Sequence, residues 1–247
     1  MKRASDFRSF FAPACRISLF ASTDRIDFQQ AFIVTDQPDS GAGIKRLWPT
    51  FLLERIVPGH EQANIALARL IRDLEKKHRG LTTDYRHDNL MVLQHPATEW
   101  LTQCVNVTVG DYFAALGMEY EIRWHLHGWA NINRFGDYHD FHNHPHAYLS
   151  GTYYVQLPTV MEKLETRDDV RPGRITFYDP RGAVNMTAIK GDPNIEPEHT
   201  VEPRPGMILL WPAFVNHFVH PNLSKQMRIS VSFNVMLNWS DDYLPQQ

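Results

Sequence analysis

The chain has 247 residues, 43% hydrophobic and 21% charged, which is enough to bury a full core and argues against a disordered chain. A formal net charge of -3 gives no electrostatic reason to expect nucleic acid or an anionic membrane as a partner. Two cysteines, Cys15 and Cys104, are too few for a disulfide framework and fit a reducing, cytoplasmic setting.

Residues 1–44 show no sustained period and end in the breaker-rich DQPDSGAG, which predicts a loosely structured N-terminal extension. Arg16 interrupts the early apolar run before a signal-peptide core is reached, although the Arg and Ser content is compatible with a transit peptide. No run approaches the roughly 20 apolar residues that a membrane span requires. The remainder, residues 45–247, reads as one domain, with a helical layer over about 60–117 and a barrel core over about 118–239.

TFLLERIV, Thr50 to Val57, predicts a short strand closed by Pro58 and Gly59. Ala63, Leu67, Leu70, Ile71 and Leu74 then recur at three and four residues and predict a helix ending near Lys76, Lys77 and Gly80. Trp100, Leu101, Cys104, Val105, Tyr112 and Leu116 predict a second helix before Gly117, although Val105, Val107 and Val109 also fit strand alternation. From Met118 onward β-branched and aromatic runs are cut by Gly and Pro: MEYEIRWHLHGWANIN, AYLSGTYYVQLP, GRITFYDP, GMILLWP and MRISVSFNVMLNW. Five such runs without helical period between them predict an antiparallel β-barrel or sandwich behind the helical layer.

The chemistry concentrates in GDYHDFHNHPHAYLSGTYY, Gly136 to Tyr154, and in HFVHPNLSKQMRISVSFN, His217 to Asn234. Strand alternation would turn Asp140, His142 and His144 to one face, where two imidazoles can grip one metal ion and His217 can supply a third. Imidazole suits iron, zinc, copper and nickel, so ligand type alone does not name the metal. The competing reading is a His-rich loop without a metal. For His125 and His127 the sequence shows no second motif to complete a metal site, so they read as an ordinary strand, and His139, His146 and His220 read as groups beside the site or simple neighbours. In MRISVSFN, Arg228, Ser230, Ser232 and Asn234 share one face and Ile229, Val231 and Phe233 the other. If the apolar face packs on the helices, Arg228 points inward, where an unpaired guanidinium is costly and a bound carboxylate would satisfy it. Asn131, Tyr154, Trp211 and Asn234 are further candidates to line the pocket.

These residues resemble the 2-oxoglutarate and Fe(II)-dependent oxygenases, in which an HxD pair and a distal His bind iron and a later Arg, followed two on by Ser, holds 2-oxoglutarate. His142-Asn143-His144, His217 and Arg228-Ile229-Ser230 stand in those places. More closely, LWPTFLLERI, HxHP followed by LSGxYYV, ITFYDPR and MRISVSFN are similar to a 2OG-Fe(II) oxygenase family of bacteria and phages, over about Leu47 to Trp239. The resemblance implies a double-stranded β-helix of the jelly-roll or cupin type with N-terminal helices. It implies Fe(II) on His142, His144 and His217, and 2-oxoglutarate held by Arg228 and Ser230, with Tyr154 and Asn131 beside them. The reaction implied is dioxygenase hydroxylation of an unidentified small-molecule or peptide substrate by O2, with release of succinate and CO2. A homodimer is compatible with the sequence but not demanded by it.

His144 stands where most of that superfamily has a carboxylate, leaving Asp140 as an alternative ligand or a neighbour of one. Gly136 followed by His142-Asn143-His144 also matches the opening of the cupin motif, but Tyr148 and Leu149 stand where cupins have Glu. A cupin-type metal enzyme that does not use 2-oxoglutarate, or a non-catalytic metal-binding barrel, is therefore the alternative.

Overall fold

The structure, a computed structural model, describes residues 48–77, 89–118, 120–162, 164–167, 169–181 and 196–238. The expected extension over residues 1–44 lies outside them. Along the chain come β1 (Leu53–Ile56), α1 (His60–Lys77), a 3-10 turn (Leu90–Val92), α2 (Pro96–Ala115), β2 (Trp124–Asn133), β3 (His139–His142) and β4 (Leu149–Gln156). β5 (Ile175–Tyr178), β6 (Glu198–Val201), β7 (Met207–Pro212), β8 (His217–Val219) and β9 (Arg228–Leu237) follow.

The helices form where expected. α1 opens with Glu61 and closes with Lys76 and Lys77, charges that match the helix dipole, and buries Ala63, Leu67, Ala68 and Ile71. α2 starts at Pro96 with the His95 ring accepting the Ala97 N–H at 3.1 Å. Leu101, Val105 and Val109 are fully buried at a four-residue spacing, so two of the three valines that also fitted strand alternation serve one helix face, and Val107, half-buried, lies off it. No helix among the described residues is long and apolar enough to cross a membrane.

All strand pairings are antiparallel, in a five-stranded sheet ordered β1-β7-β4-β9-β2 and a four-stranded sheet ordered β3-β8-β5-β6. From β2 to β9 the chain crosses repeatedly between the two sheets, as in a double-stranded β-helix. The two sheets share no hydrogen-bonded ladder among the described residues, so the barrel is not closed. Strands β6 and β8 were not expected, and at four and three residues they are too short to show a period.

β9 is the strand on which the two halves of the molecule meet. Ile229, Val231 and Phe233 are fully buried in one cluster with Leu67, Ile71, Leu101, Val105 and Val109 from the helices. Each such side chain contributes about 1.5–3 kcal/mol on burial. The helical layer thereby fixes which face of β9 looks out, and the period of two turns Arg228, Ser230 and Ser232 into the cavity between the sheets. A smaller cluster, including Ile175, Phe177, Leu209 and Trp211, fills the space between the sheets beside that cavity.

Candidate metal centre

The expected alternation of Asp140, His142 and His144 fails for a local reason. β3 pairs with β8 through His139 with Val219 and His142 with His217, and the register shifts between the two pairs. Three steps of β3 are matched by two of β8, which is a bulge, and it brings both His139 and His142 to the cavity. Asp140 is exposed, and its Oδ1 accepts the Phe141 N–H at 2.8 Å. His144 lies beyond the end of β3, tied by its N–H to the Ala213 carbonyl at 3.0 Å just after β7.

The rings of His142, His144 and His217 converge. Their centroids are 4.2 Å apart for His142 and His217, 5.1 Å for His142 and His144, and 5.3 Å for His144 and His217. One nitrogen of each lies within 4.8 Å of the others. His142 Nδ1 is 2.5 Å from the Asp140 carbonyl and His217 Nδ1 is 3.1 Å from the Val215 carbonyl. A carbonyl only accepts, so Nδ1 carries the proton in both rings and Nε2 keeps its lone pair for a metal. Burial, then His142, pushes the His217 pKa down to about 3, and burial, then His142 and His139, pushes His144 down to about 4. Both rings are neutral at pH 7, as ligation requires. The donor set therefore fits a divalent cation held by neutral imidazoles.

Arg228 is 1% exposed and lines the same cavity. Its Nη1 donates to the His220 carbonyl at 3.2 Å, and it forms no ion pair with any described residue. Burial pulls its pKa down, opposed by Tyr154 and Asp137. Tyr154, Ser230 and Asn131 are register partners in one row across β4, β9 and β2, and all three line the cavity. Asn131 Nδ2 donates to Ser232 Oγ at 2.8 Å, while its Oδ1 is buried with no partner among the described residues. Trp211 lines the cavity too, but Asn234 does not: its Oδ1 accepts from Ser150 Oγ at 2.7 Å.

The sequence reading missed Trp129 and Thr152 and undervalued His139. Trp129 stands two residues before Asn131 on the same strand, its ring centroid 6.1 Å from that of His144. Period-two alternation could have found it. His139 was hidden by the bulge, and burial, then Arg228, pushes its pKa down to about 4. The remaining histidines play other parts. His125 Nδ1 is 2.9 Å from Asn238 Oδ1, His146 is exposed, and His220 is buried against Thr176, 2.8 Å from its hydroxyl. A wider groove elsewhere is lined by Arg167, Arg171 and Arg174, each already paired with a carboxylate, Asp169, Glu198 and Glu202 respectively.

Fold and site together define a double-stranded β-helix with a candidate metal centre. Residues 127–234 match the family described as "Putative 2OG-Fe(II) oxygenase". A match to that family implies Fe(II) and 2-oxoglutarate, and the three histidines are the candidate iron site. Among solved structures the chain is similar to a Trichoplax adhaerens prolyl hydroxylase in complex with a hypoxia inducible factor oxygen degradation domain peptide fragment. The identity is 12% over 75% of this chain and 83% of that one, with a TM-score of 0.50. It is also similar to the non-heme alpha ketoglutarate dependent epimerase SnoN from nogalamycin biosynthesis, at 14% identity over 75% of this chain and 78% of that one, TM-score 0.50. A Pseudomonas putida prolyl-4-hydroxylase matches at 15% identity over 76% of this chain and 88% of that one, TM-score 0.49. At these identities the likeness is one of fold. No curated protein sequence matches the chain.

Proposed function

We propose that the protein is an Fe(II)- and 2-oxoglutarate-dependent dioxygenase that hydroxylates a small-molecule or peptide substrate, with succinate and CO2 as coproducts. The observation that carries this reading is Arg228: a guanidinium 1% exposed, without a carboxylate partner among the described residues, in the cavity that the three histidines line. A charge buried in that way calls for an anion. A planar fork suits a carboxylate.

In this reading His142, His144 and His217 hold Fe(II), which when bound supplies oxygen activation and the oxidative decarboxylation of the keto acid. Three imidazole ligands, with no carboxylate among them, would leave the double charge of a bound ion uncompensated, which would favour the keto-carboxylate end of the cosubstrate. Arg228 anchors the distal carboxylate, and Ser230 and Tyr154 add hydroxyls from the same and the neighbouring strand. Asn131 completes the grip by a reversal of its amide. With Oδ1 accepting from Ser232 Oγ, Nδ2 becomes a donor toward the carboxylate and no buried acceptor is left over. Residues 45–247 act as one domain, supported by the single cluster that joins β1, both helices and β9. A cytoplasmic location belongs to the same proposal, supported by the buried Cys104 thiol.

The test is anaerobic titration of the Fe(II) protein with 2-oxoglutarate, followed by its charge-transfer absorption, for the wild type and Arg228→Ala. The wild type binds; the variant keeps iron and loses at least about 30-fold in cosubstrate affinity, the loss expected when one partner of a buried charge pair is removed. Equal affinities, or no binding by the wild type, would overturn the assignment. Iron-dependent succinate release, even without substrate, separates an oxygenase from a cupin-type enzyme or a non-catalytic barrel.

A further inference from the structure

Two residues that line the cavity each bury a polar atom without a partner among the described residues, Asn131 Oδ1 and Trp211 Nε1. The first is resolved by reversing the amide. The second is not, because an indole N–H is a donor only and no reorientation turns it into anything else. Trp211 is 3% exposed on β7 and meets the His217 and Phe177 rings edge to face, at centroid distances of 5.0 Å and 4.9 Å. A phenylalanine in that slot would make the same kind of ring contacts without stranding a donor away from water. A donor buried in this way calls for an acceptor.

Its place along the cavity says which part of the ligand. Trp211 is in register with Ser150, and Ser150 with Asn234. Arg228 stands at the other end of the inward face of β9, beyond Ser232 and Ser230. The indole and the guanidinium thus mark opposite ends of the pocket, and the indole end is the one beside His217. We propose that the Trp211 indole N–H donates a hydrogen bond to the metal-side carboxylate of 2-oxoglutarate, positioning the end of the cosubstrate that Arg228 does not reach. The proposal rests on the oxygenase reading above.

Pyruvate separates the two ends, since it carries the keto-carboxylate and nothing that reaches Arg228. In anaerobic titrations of the Fe(II) protein, Trp211→Phe weakens 2-oxoglutarate and pyruvate by the same factor, about tenfold for one hydrogen bond to a charged acceptor. The charge-transfer band of the keto-acid complex shifts, while Fe(II) affinity is unchanged. Arg228→Ala weakens 2-oxoglutarate and leaves pyruvate alone. If Trp211→Phe does not fold, site-specific replacement of Trp211 by 3-benzothienylalanine keeps both rings and removes only the N–H, with the same expected result. Unchanged binding of both acids, or a loss confined to 2-oxoglutarate, overturns the assignment of Trp211. Failure of the wild type to bind 2-oxoglutarate overturns the oxygenase reading itself.

Discussion

His142 and His217 face each other as register partners across the β3 and β8 ladder, ring centroids 4.2 Å apart, and each turns Nδ1 to the carbonyl two residues before it, Asp140 and Val215. The backbone thus fixes the tautomer of both rings before any ion arrives, and a strand pairing becomes a half-built coordination site. Removing one ring takes away a donor, so His217→Ala should lose at least about 100-fold in affinity for Fe(II), the upper end of what mere loss of a supporting partner costs. Asp140→Asn should leave affinity unchanged, because Asp140 contributes its carbonyl, not its exposed carboxylate. Calorimetric titration with Fe(II) under argon checks both, and a large loss in Asp140→Asn would show that the carboxylate is a ligand after all.

Adjacent tyrosines on β4 are expected to report on different things. Tyr153 points to the helices, where its hydroxyl donates to Asn64 Oδ1 at 2.5 Å, and it packs edge to face on Trp100. Tyr154 points to the cavity, opposite Ser230. Tyr153→Phe should cost about 1–3 kcal/mol by leaving Asn64 with an unsatisfied buried oxygen, with no change in 2-oxoglutarate affinity. Tyr154→Phe should do the reverse, weakening the cosubstrate a few-fold with a smaller change in the urea midpoint. Parallel urea unfolding and titration of the two variants would reject the division of labour if either moved both readouts equally.

What could be read from the chain was whatever a single element carries by itself. The apolar face of α1, the two faces of β9 and the spacing from His217 to Arg228 are local properties, so period and residue chemistry expose them. Asp140 was misjudged because the bulge in β3 depends on pairing with β8, a partner that lies beyond β7 in the chain and is itself too short to be seen. Asn234 obeyed the period but turned to Ser150, a contact set by the neighbouring strand. The unpartnered indole of Trp211 is visible only once three dimensions show which donors lack acceptors.

The glycine in LSGTYYV is fixed by a crowded crossing of strands. A Cβ on Gly151 would stand 2.4 Å from Phe233 Cζ and 2.7 Å from the Leu209 carbonyl oxygen, one a packed core ring and the other backbone. Neither can step aside cheaply. At Gly128 the nearest atom would be the flexible end of Met91 at 2.7 Å, with backbone no closer than 3.2 Å. Gly151→Ala should therefore cost about 2–3 kcal/mol, in the range of core overpacking, and Gly128→Ala clearly less. Urea midpoints in the reverse order would show that β4 can shift away from β9 and β7.

Acid should destabilise the fold through His220. Its ring is buried, Nδ1 accepting the Arg171 N–H at 3.2 Å and Nε2 2.8 Å from Thr176 Oγ1, so it is held neutral with its proton on Nε2. Protonating Nδ1 would set one N–H against another. Burial first, then Arg171, Arg174 and Arg228 against a contrary pull from Glu198, pushes the pKa down to about 4. The unfolded chain takes up this proton near pH 6.5, as an ordinary histidine does, whereas the folded chain waits until about 4. Between those values the unfolded state binds more protons, so stability is fully present above pH 6.5 and is lost as pH falls, by at most about 1.4 kcal/mol per unit. His139, His144 and His217 have depressed values as well and steepen the slope of wild type and variant alike. The comparison that isolates His220 is urea unfolding of metal-free wild type and His220→Gln at pH 7.5 and pH 5. The wild type should lose about 2 kcal/mol more than the variant over that interval, and equal losses would mean that the folded ring already titrates like a free imidazole.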